Sequence, residues 1–156
     1  MSNQSSWPPG HRDEVVEAVH RSWWNVDQDL GTGSELLYTE DGICDMPALR
    51  MRGREQIAAG YARRQANGPR LSRHLVSNLV TETGQTGQVT ATYVVSLFAG
   101  NGVAPLEVGS PSAICDVHDE LVLADGSWLI AHRRLTAVFV AASNDSIMLQ
   151  RGSPDD

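Results

Sequence analysis

Apolar residues recur with a helical period through the first part of the chain and alternate with polar ones through the second part. From His11 to about Val26, Val15, Val16, Val19, Trp23 and Val26 form one stripe, and Asp13 and Glu14 suit the positive end of a helix. This first predicted helix ends in a polar turn over 27–33. Ser34 is placed to cap a short second helix, Glu35–Thr39. Glu40-Asp41-Gly42 predicts a turn, and Ile43–Met46 a short strand that Pro47 ends. Ala48–Arg52 reads as a weakly paired strand or a loop. Gly53 to Asn67 is a third helix with Ile57, Ala58, Tyr61 and Ala62 on its stripe, stopped by Asn67-Gly68-Pro69.

After Pro69 the period changes to that of a strand. Leu71–Glu82, Gln88–Ala99, Ser112–Ala124 and Trp128–Ala141 each alternate. They are joined by a turn over 83–87, a Gly/Pro-rich connection over 100–111 and the hairpin signal Asp125-Gly126. Helices followed by an antiparallel meander, with no alternation of strand and helix, predict an α+β fold with helices packed on one face of a curved sheet. Residues 1–10 read as a loose arm, 11–142 as one domain and 143–156 as a polar tail.

Composition narrows the class. A chain of 156 residues is long enough for one domain that buries roughly 70% of its unfolded surface. Its net charge of −7 argues against nucleic acid or an anionic membrane as partner. All 12 basic residues are Arg, which removes Schiff-base and lysine-base chemistry. The two cysteines, Cys44 and Cys115, form no C-x-x-C and suit small buried hydrophobes in a reducing compartment. No secretory h-region and no long apolar run is visible, so a cytoplasmic location is expected. Asp116-x-His118 puts two possible ligands on one strand face, but no third lies at suitable spacing, so no metal is expected.

Four phrases in order resemble one family: Leu37-Tyr38-Thr39-Glu40-Asp41-Gly42, Gly53-Arg54-Glu55-Gln56-Ile57, Arg73-His74-Leu75-Val76-Ser77-Asn78, and Asp119-Glu120-Leu121 leading to Asp125-Gly126-Ser127-Trp128. Together they resemble the SnoaL-like branch of the nuclear-transport-factor-2-like superfamily, over most of residues 11–140. The resemblance implies a cone-shaped α+β barrel: a strongly curved, mostly antiparallel sheet wrapped around three N-terminal helices, with a deep apolar pocket and no cofactor. It also implies an Asp–His dyad like that of scytalone dehydratase, bile-acid 7α-dehydratase and hexachlorocyclohexane dehydrochlorinase. Asp27 falls on the aspartate position and His74 on the histidine position. An arginine five residues after the last-strand tryptophan falls on Arg133, although a one-residue slip would exchange it for Arg134. The second histidine of scytalone dehydratase is replaced by Tyr93, and the lysine of the dehydrochlorinase is missing, with Trp23 or Trp24 in its region.

A neutral imidazole is a good base near neutrality, and a carboxylate on its other nitrogen fixes the tautomer and stabilises the imidazolium. Strand alternation adds the neighbours. His74, Val76, Asn78 and Val80 share one face; Tyr93, Val95 and Leu97, then Ala113, Cys115 and Val117, then Leu129, Ala131 and Arg133 share the corresponding faces. The expected substrate-binding set is Trp23, Trp24, Asn78, Tyr93, Val95, Cys115 and Arg133, around a hydrophobic, polycyclic, aromatic or steroid-like molecule.

The function this predicts is a cofactor-independent dehydratase-type lyase, isomerase or cyclase, with His74 as general base and later acid, and Asp27 orienting it. The rival is a non-catalytic member of the same fold: a small-molecule binder or a structural subunit like a dioxygenase β chain. A homo-oligomer, dimer or trimer, is expected in either case.

Overall fold

The computed structural model describes residues 11–84 and 86–142; the predicted arm over 1–10 and the tail over 143–156 lie outside them. The chain runs α1 (His11–Gln28), a 3-10 turn (Ser34–Leu37), β1 (Tyr38–Met46), β2 (Leu49–Arg52), α2 (Gly53–Ala66), β3 (Arg70–Thr83), β4 (Val89–Asn101), β5 (Ala113–Ala124) and β6 (Ser127–Val140). The strands form one open six-stranded sheet in the order β2-β1-β6-β5-β4-β3. All neighbours are antiparallel except β1 and β6, which run parallel. The α+β class and the curved, mostly antiparallel sheet agree with the sequence reading, but the sheet is not closed into a barrel.

Three local expectations change. The second helix is only a 3-10 turn, and Ser34 does not cap it; its hydroxyl donates to Asn25 Oδ1 instead. The predicted turn at Glu40-Asp41-Gly42 lies inside β1 as an irregularity between Tyr38 and Ile43. The Arg54 guanidinium donates twice to the Tyr38 carbonyl there, at 3.0 and 2.8 Å, which bridges that break in the ladder. Leu49–Arg52 is a true strand, paired with β1 from Ile43 to Met46.

The inner sheet face and the apolar stripes of α1 and α2 make the core. Val15, Val19, Trp23 and Val26 from α1 meet Ile57 and Tyr61 from α2, and Val89, Ala91, Tyr93, Val95, Val117, Leu121 and Ile130 from the sheet. Each large side chain buried this way contributes about 1.5–3 kcal/mol. The turn after α1 is tight because Gly31 has φ +80° and a Cβ there would lie 2.2 Å from the Tyr61 ring. Asn25 Nδ2 and Gln65 Nε2 tie the same turn down through Thr32, at 2.8 and 3.0 Å. The end of α1, which carries Asp27, is therefore anchored to α2.

Irregularities in the strands decide which side chains reach the interior. The β3–β4 register shifts between Ser77 and Val80, where Asn78 adopts φ 53°. One extra residue reverses the alternation beyond that point. Asn78 and Val80 therefore face outward and Leu79 packs on the core, opposite to the expectation for both. On β6 the register with β5 shifts between Glu120 and Leu121, so Ile130 is buried rather than Leu129 or Ala131. After the shift the parity places Arg133 inside and leaves Arg134 exposed.

Candidate active site

Asp27 occupies the last turn of α1, one residue before its end. A carboxylate there faces the negative end of the helix dipole, so local backbone electrostatics alone disfavour its charge. Tertiary donors reverse this. Asp27 Oδ1 accepts the Ser72 hydroxyl at 2.8 Å and lies 2.6 Å from His74 Nδ1, and Oδ2 accepts the His74 backbone N–H at 2.7 Å. Ser72 and His74 sit two apart on β3, so strand alternation alone places both side chains toward the helix. Burial acts to raise the Asp27 pKa, but these donors outweigh it and hold the carboxyl below its ordinary value.

The His74 ring is nearly enclosed, with 9% of its side chain exposed. It stacks on Trp23, ring centroids 4.5 Å apart and planes 19° from parallel. Burial lowers its pKa; the Asp27 contacts oppose that, and the charges of Arg64 and Arg133 reinforce it, leaving the value below the ordinary one. The resting pair is thus a neutral imidazole and an ionised carboxylate. The carboxylate fixes the proton on Nδ1, and among the described residues no hydrogen bond engages Nε2. No fully buried side-chain nitrogen or oxygen lacks a partner among the described residues, so Nε2 keeps some solvent access.

His74 lines a cavity of about 760 Å³ between α1, α2 and the sheet. His74, Trp23, Val26, Met46, Leu49 and Leu135 contribute to its mostly apolar wall, and Leu97 and Tyr61 extend it. A smaller outer depression of about 330 Å³ is lined by Trp24, Asp27, Glu17 and His20. His74 lines both spaces.

The remaining expected site residues divide. Trp23 lines the cavity and is buried. Trp24 is 64% exposed and lines the outer depression only. Asn78 is turned outward by the β3 bulge, which removes it from the pocket. Val95 is a core residue, and Cys115 packs with Ala113, Leu97 and Ala137 in a separate small cluster. Neither side chain lines the cavity.

Tyr93 and Arg133 point inward but belong to a polar network behind Trp23 rather than to the cavity wall. Arg133 donates through Nε and Nη2 to both oxygens of Asp119, at 2.8 and 2.6 Å, and through Nη2 to Ser22 Oγ at 2.9 Å. The Tyr93 hydroxyl donates to Asp119 at 2.8 Å and accepts from Trp23 Nε1 at 2.9 Å and Arg133 Nη2 at 3.1 Å. With one donor and two acceptor positions, that hydroxyl is saturated, so it has nothing left for a substrate carbonyl. The Arg133 guanidinium lies 4.3 Å from the centroid of the Trp23 ring. Burial would lower the Arg133 pKa; Asp119 and the tyrosines more than compensate and raise it. The network fixes the indole against which His74 stacks.

Sequence reasoning missed Asp119, Ser72 and Arg64. Asp119 was accessible: extending the inward series Ala113, Cys115, Val117 by one step reaches it, and it pairs directly with Arg133 across β5 and β6. Ser72 follows from His74 by the same period. Arg64 lines the cavity from the last turn of α2 and donates to Ser72 Oγ at 3.3 Å; its helix stripe did not mark it. Among the described residues no group of three His, Cys, Asp or Glu is placed to hold a metal, and no helix is long and apolar enough to cross a membrane.

Comparison with known structures gives the same architecture. ActVI-ORFA from Streptomyces coelicolor superimposes with a TM-score of 0.71 at 24% identity, covering 83% of this chain and 98% of that one. A protein from Catenulispora acidiphila, solved in complex with S-DNPA, gives 0.69 at 25% identity, covering 83% and 95%. A scytalone-dehydratase-type protein from Novosphingobium aromaticivorans DSM 12444 gives 0.72 at 16% identity, covering 84% and 86%. No curated protein sequence matches the chain. The sequence profile of the SnoaL-like domain matches residues 11–134, and the chain belongs to that family.

Proposed function

We propose that the protein is a cofactor-independent enzyme that uses His74 as a general base on a hydrophobic small molecule held in the cavity. The observation that carries this reading is the buried Asp27–His74 contact at 2.6 Å, on a histidine that lines an apolar cavity. Nε2 would take a proton from a carbon next to a carbonyl or leaving group. Asp27 would stabilise the imidazolium that forms. The same nitrogen would then return the proton, either to a departing hydroxyl or to another carbon. Dehydration, isomerisation and ring closure all fit this sequence, and dehydration is the leading assignment. The apolar wall keeps competing water away from the carbanion-like centre.

One feature supports an enzyme over a passive binder: a carboxylate buried against a histidine that lines the ligand space is an acid–base arrangement that holding a ligand does not require. The cavity has the volume of small-molecule sites, about 300–1,000 Å³, which suits either role. The similar Catenulispora protein was solved in complex with S-DNPA, which fits a ligand-holding role for this interior. The test is proton exchange in D2O with a panel of polycyclic ketones and β-hydroxy ketones, followed by NMR. Exchange or elimination that depends on the protein and vanishes in His74→Ala supports the reading. Catalysis of any panel member that survives in His74→Ala sinks it.

A further inference from the structure

The protein carries a net charge of −7, yet Arg63, Arg64 and Arg70 all line the cavity and no Asp or Glu does so. Among the described residues none of the three arginines is in an ion pair. Arg64 and Arg70 are half-buried. Arg64 makes one hydrogen bond, to the Ser72 hydroxyl at 3.3 Å, and Arg70 one, to Asn101 Oδ1 at 3.1 Å, out of the five N–H donors each guanidinium offers. The two charges oppose each other: burial lowers the pKa of Arg70, and the neighbouring Arg64 lowers it further. Burial likewise lowers Arg64, with Tyr61 and Asp27 opposing it. Both groups stay cationic, because a guanidinium is not deprotonated in proteins. Two like charges held together, partly desolvated and short of acceptors, are the arrangement an oxyanion relieves.

We propose that the molecule bound in the cavity is a hydrophobic carboxylate, its charged group on Arg64 and Arg70 and its apolar body along Trp23, Leu97 and Leu135 beside His74. This rests on the cavity being the substrate site proposed above, but not on His74 being the base. The carboxylate fixes one end of the molecule, so the carbon presented to Nε2 is set by the distance between the two ends. Arg64 is also joined through the Ser72 hydroxyl to Asp27, which places the anion site next to the dyad's own support. A neutral ester or amide of the same acid loses this anchor.

The experiment measures binding of 2-naphthoate and of its neutral isostere 2-naphthamide, by calorimetry at low and high salt. The proteins are wild type, Arg64→Gln, Arg70→Gln, the double variant and His74→Ala, each checked for fold by circular dichroism. Wild type is expected to bind the carboxylate about tenfold or more tightly than the amide, as a charge-assisted contact allows. Salt should narrow that gap, each single variant should reduce it and the double variant should abolish it. His74→Ala should keep it, which separates this inference from the catalytic one. Equal affinity for both probes, an unchanged preference in the double variant, or no binding of either probe at millimolar concentration would each overturn the proposal.

Discussion

Asp27 holds His74 at two points: Oδ1 meets the ring nitrogen Nδ1 at 2.6 Å, and Oδ2 accepts the backbone N–H of the same residue at 2.7 Å. One carboxylate thereby fixes the start of β3, the rotation of the His74 ring and its tautomer. The end of α1 and the start of β3 are joined at the point where the reaction is proposed to occur.

The first consequence concerns Asp27→Asn. The amide can keep the backbone contact but donates as readily as it accepts, so the proton is no longer fixed on Nδ1. Turnover on any substrate found should fall by about two to four orders of magnitude. Ligand affinity should change far less, because Asp27 does not line the larger cavity. Steady-state kinetics separate the two: kcat should fall while the binding constant stays within a few-fold.

The second concerns acid. The folded His74 pKa lies below the ordinary imidazole value because burial disfavours the imidazolium. The neutral form, which the proposed mechanism requires, therefore persists as pH falls past about 6.5. kcat/KM should stay level through neutrality and drop only at lower pH, as the depressed folded pKa is crossed. Stability follows the same sign. Below about 6.5 the unfolded chain takes up the histidine proton and the folded chain does not, so stability falls with pH through that window. Asp27, also depressed, stabilises fully above its unfolded value and loses that contribution as pH falls through the folded one. Urea unfolding at a series of pH values, compared between wild type and His74→Ala, checks this. An acid limb of kcat/KM centred at or above 6.5 would contradict it.

The third concerns the network behind Trp23. Asp119 and Arg133 are 0% and 2% exposed and paired through two contacts. Removing one partner leaves a buried charge uncompensated, at a cost of about 3–5 kcal/mol. Asp119→Asn should lower the thermal midpoint strongly, and Asp119→Leu with Arg133→Met should recover part of the loss. Calorimetry on the single and double variants decides this; a loss below about 1 kcal/mol in the single variant would mean the pair is not a structural anchor.

The fourth concerns the outer sheet face. Leu75, Ser96, Ile114 and Phe139 are opposite one another across β3, β4, β5 and β6, and Leu75 and Phe139 are 54% and 65% exposed. An apolar row on a sheet face favours self-association. Light scattering after gel filtration should give a multiple of the 16.9 kDa chain mass, reduced to one chain by Phe139→Asp. A wild-type monomer at micromolar concentration would remove the oligomer expectation.

The secondary elements were legible in the sequence because they rest on local, periodic signals, whereas the pairing of Asp27 with His74, 47 positions apart, came from the family resemblance and not from any local pattern. Val15, Val19, Trp23 and Val26 of the helical stripe are buried as expected, with Val16 only partly so, and the alternation holds from Ser72 through His74 to Val76. What the sequence hid are the places where one residue breaks the period. The bulge at Ser77–Val80 turned Asn78 out of the pocket, and the shift near Glu120 exchanged Leu129 for Ile130 in the core. The role of Tyr93 was hidden for another reason. Its inward direction follows from parity, but only the tertiary contacts with Asp119, Arg133 and Trp23 show that its hydroxyl is already saturated. Arg64 was missed because a half-buried arginine at a helix end looks in sequence like a solvated one.

The central claim is that His74 is a neutral base with its proton held on Nδ1 by Asp27 and Nε2 free. Nitrogen-15 NMR of the histidine rings tests it without any substrate. At pH 7, His74 should show a protonated Nδ1 and an unprotonated Nε2, titrating below about 6.5; Asp27→Asn should erase the tautomer preference. A His74 ring that is cationic at pH 7, or that carries its proton on Nε2, would contradict the account.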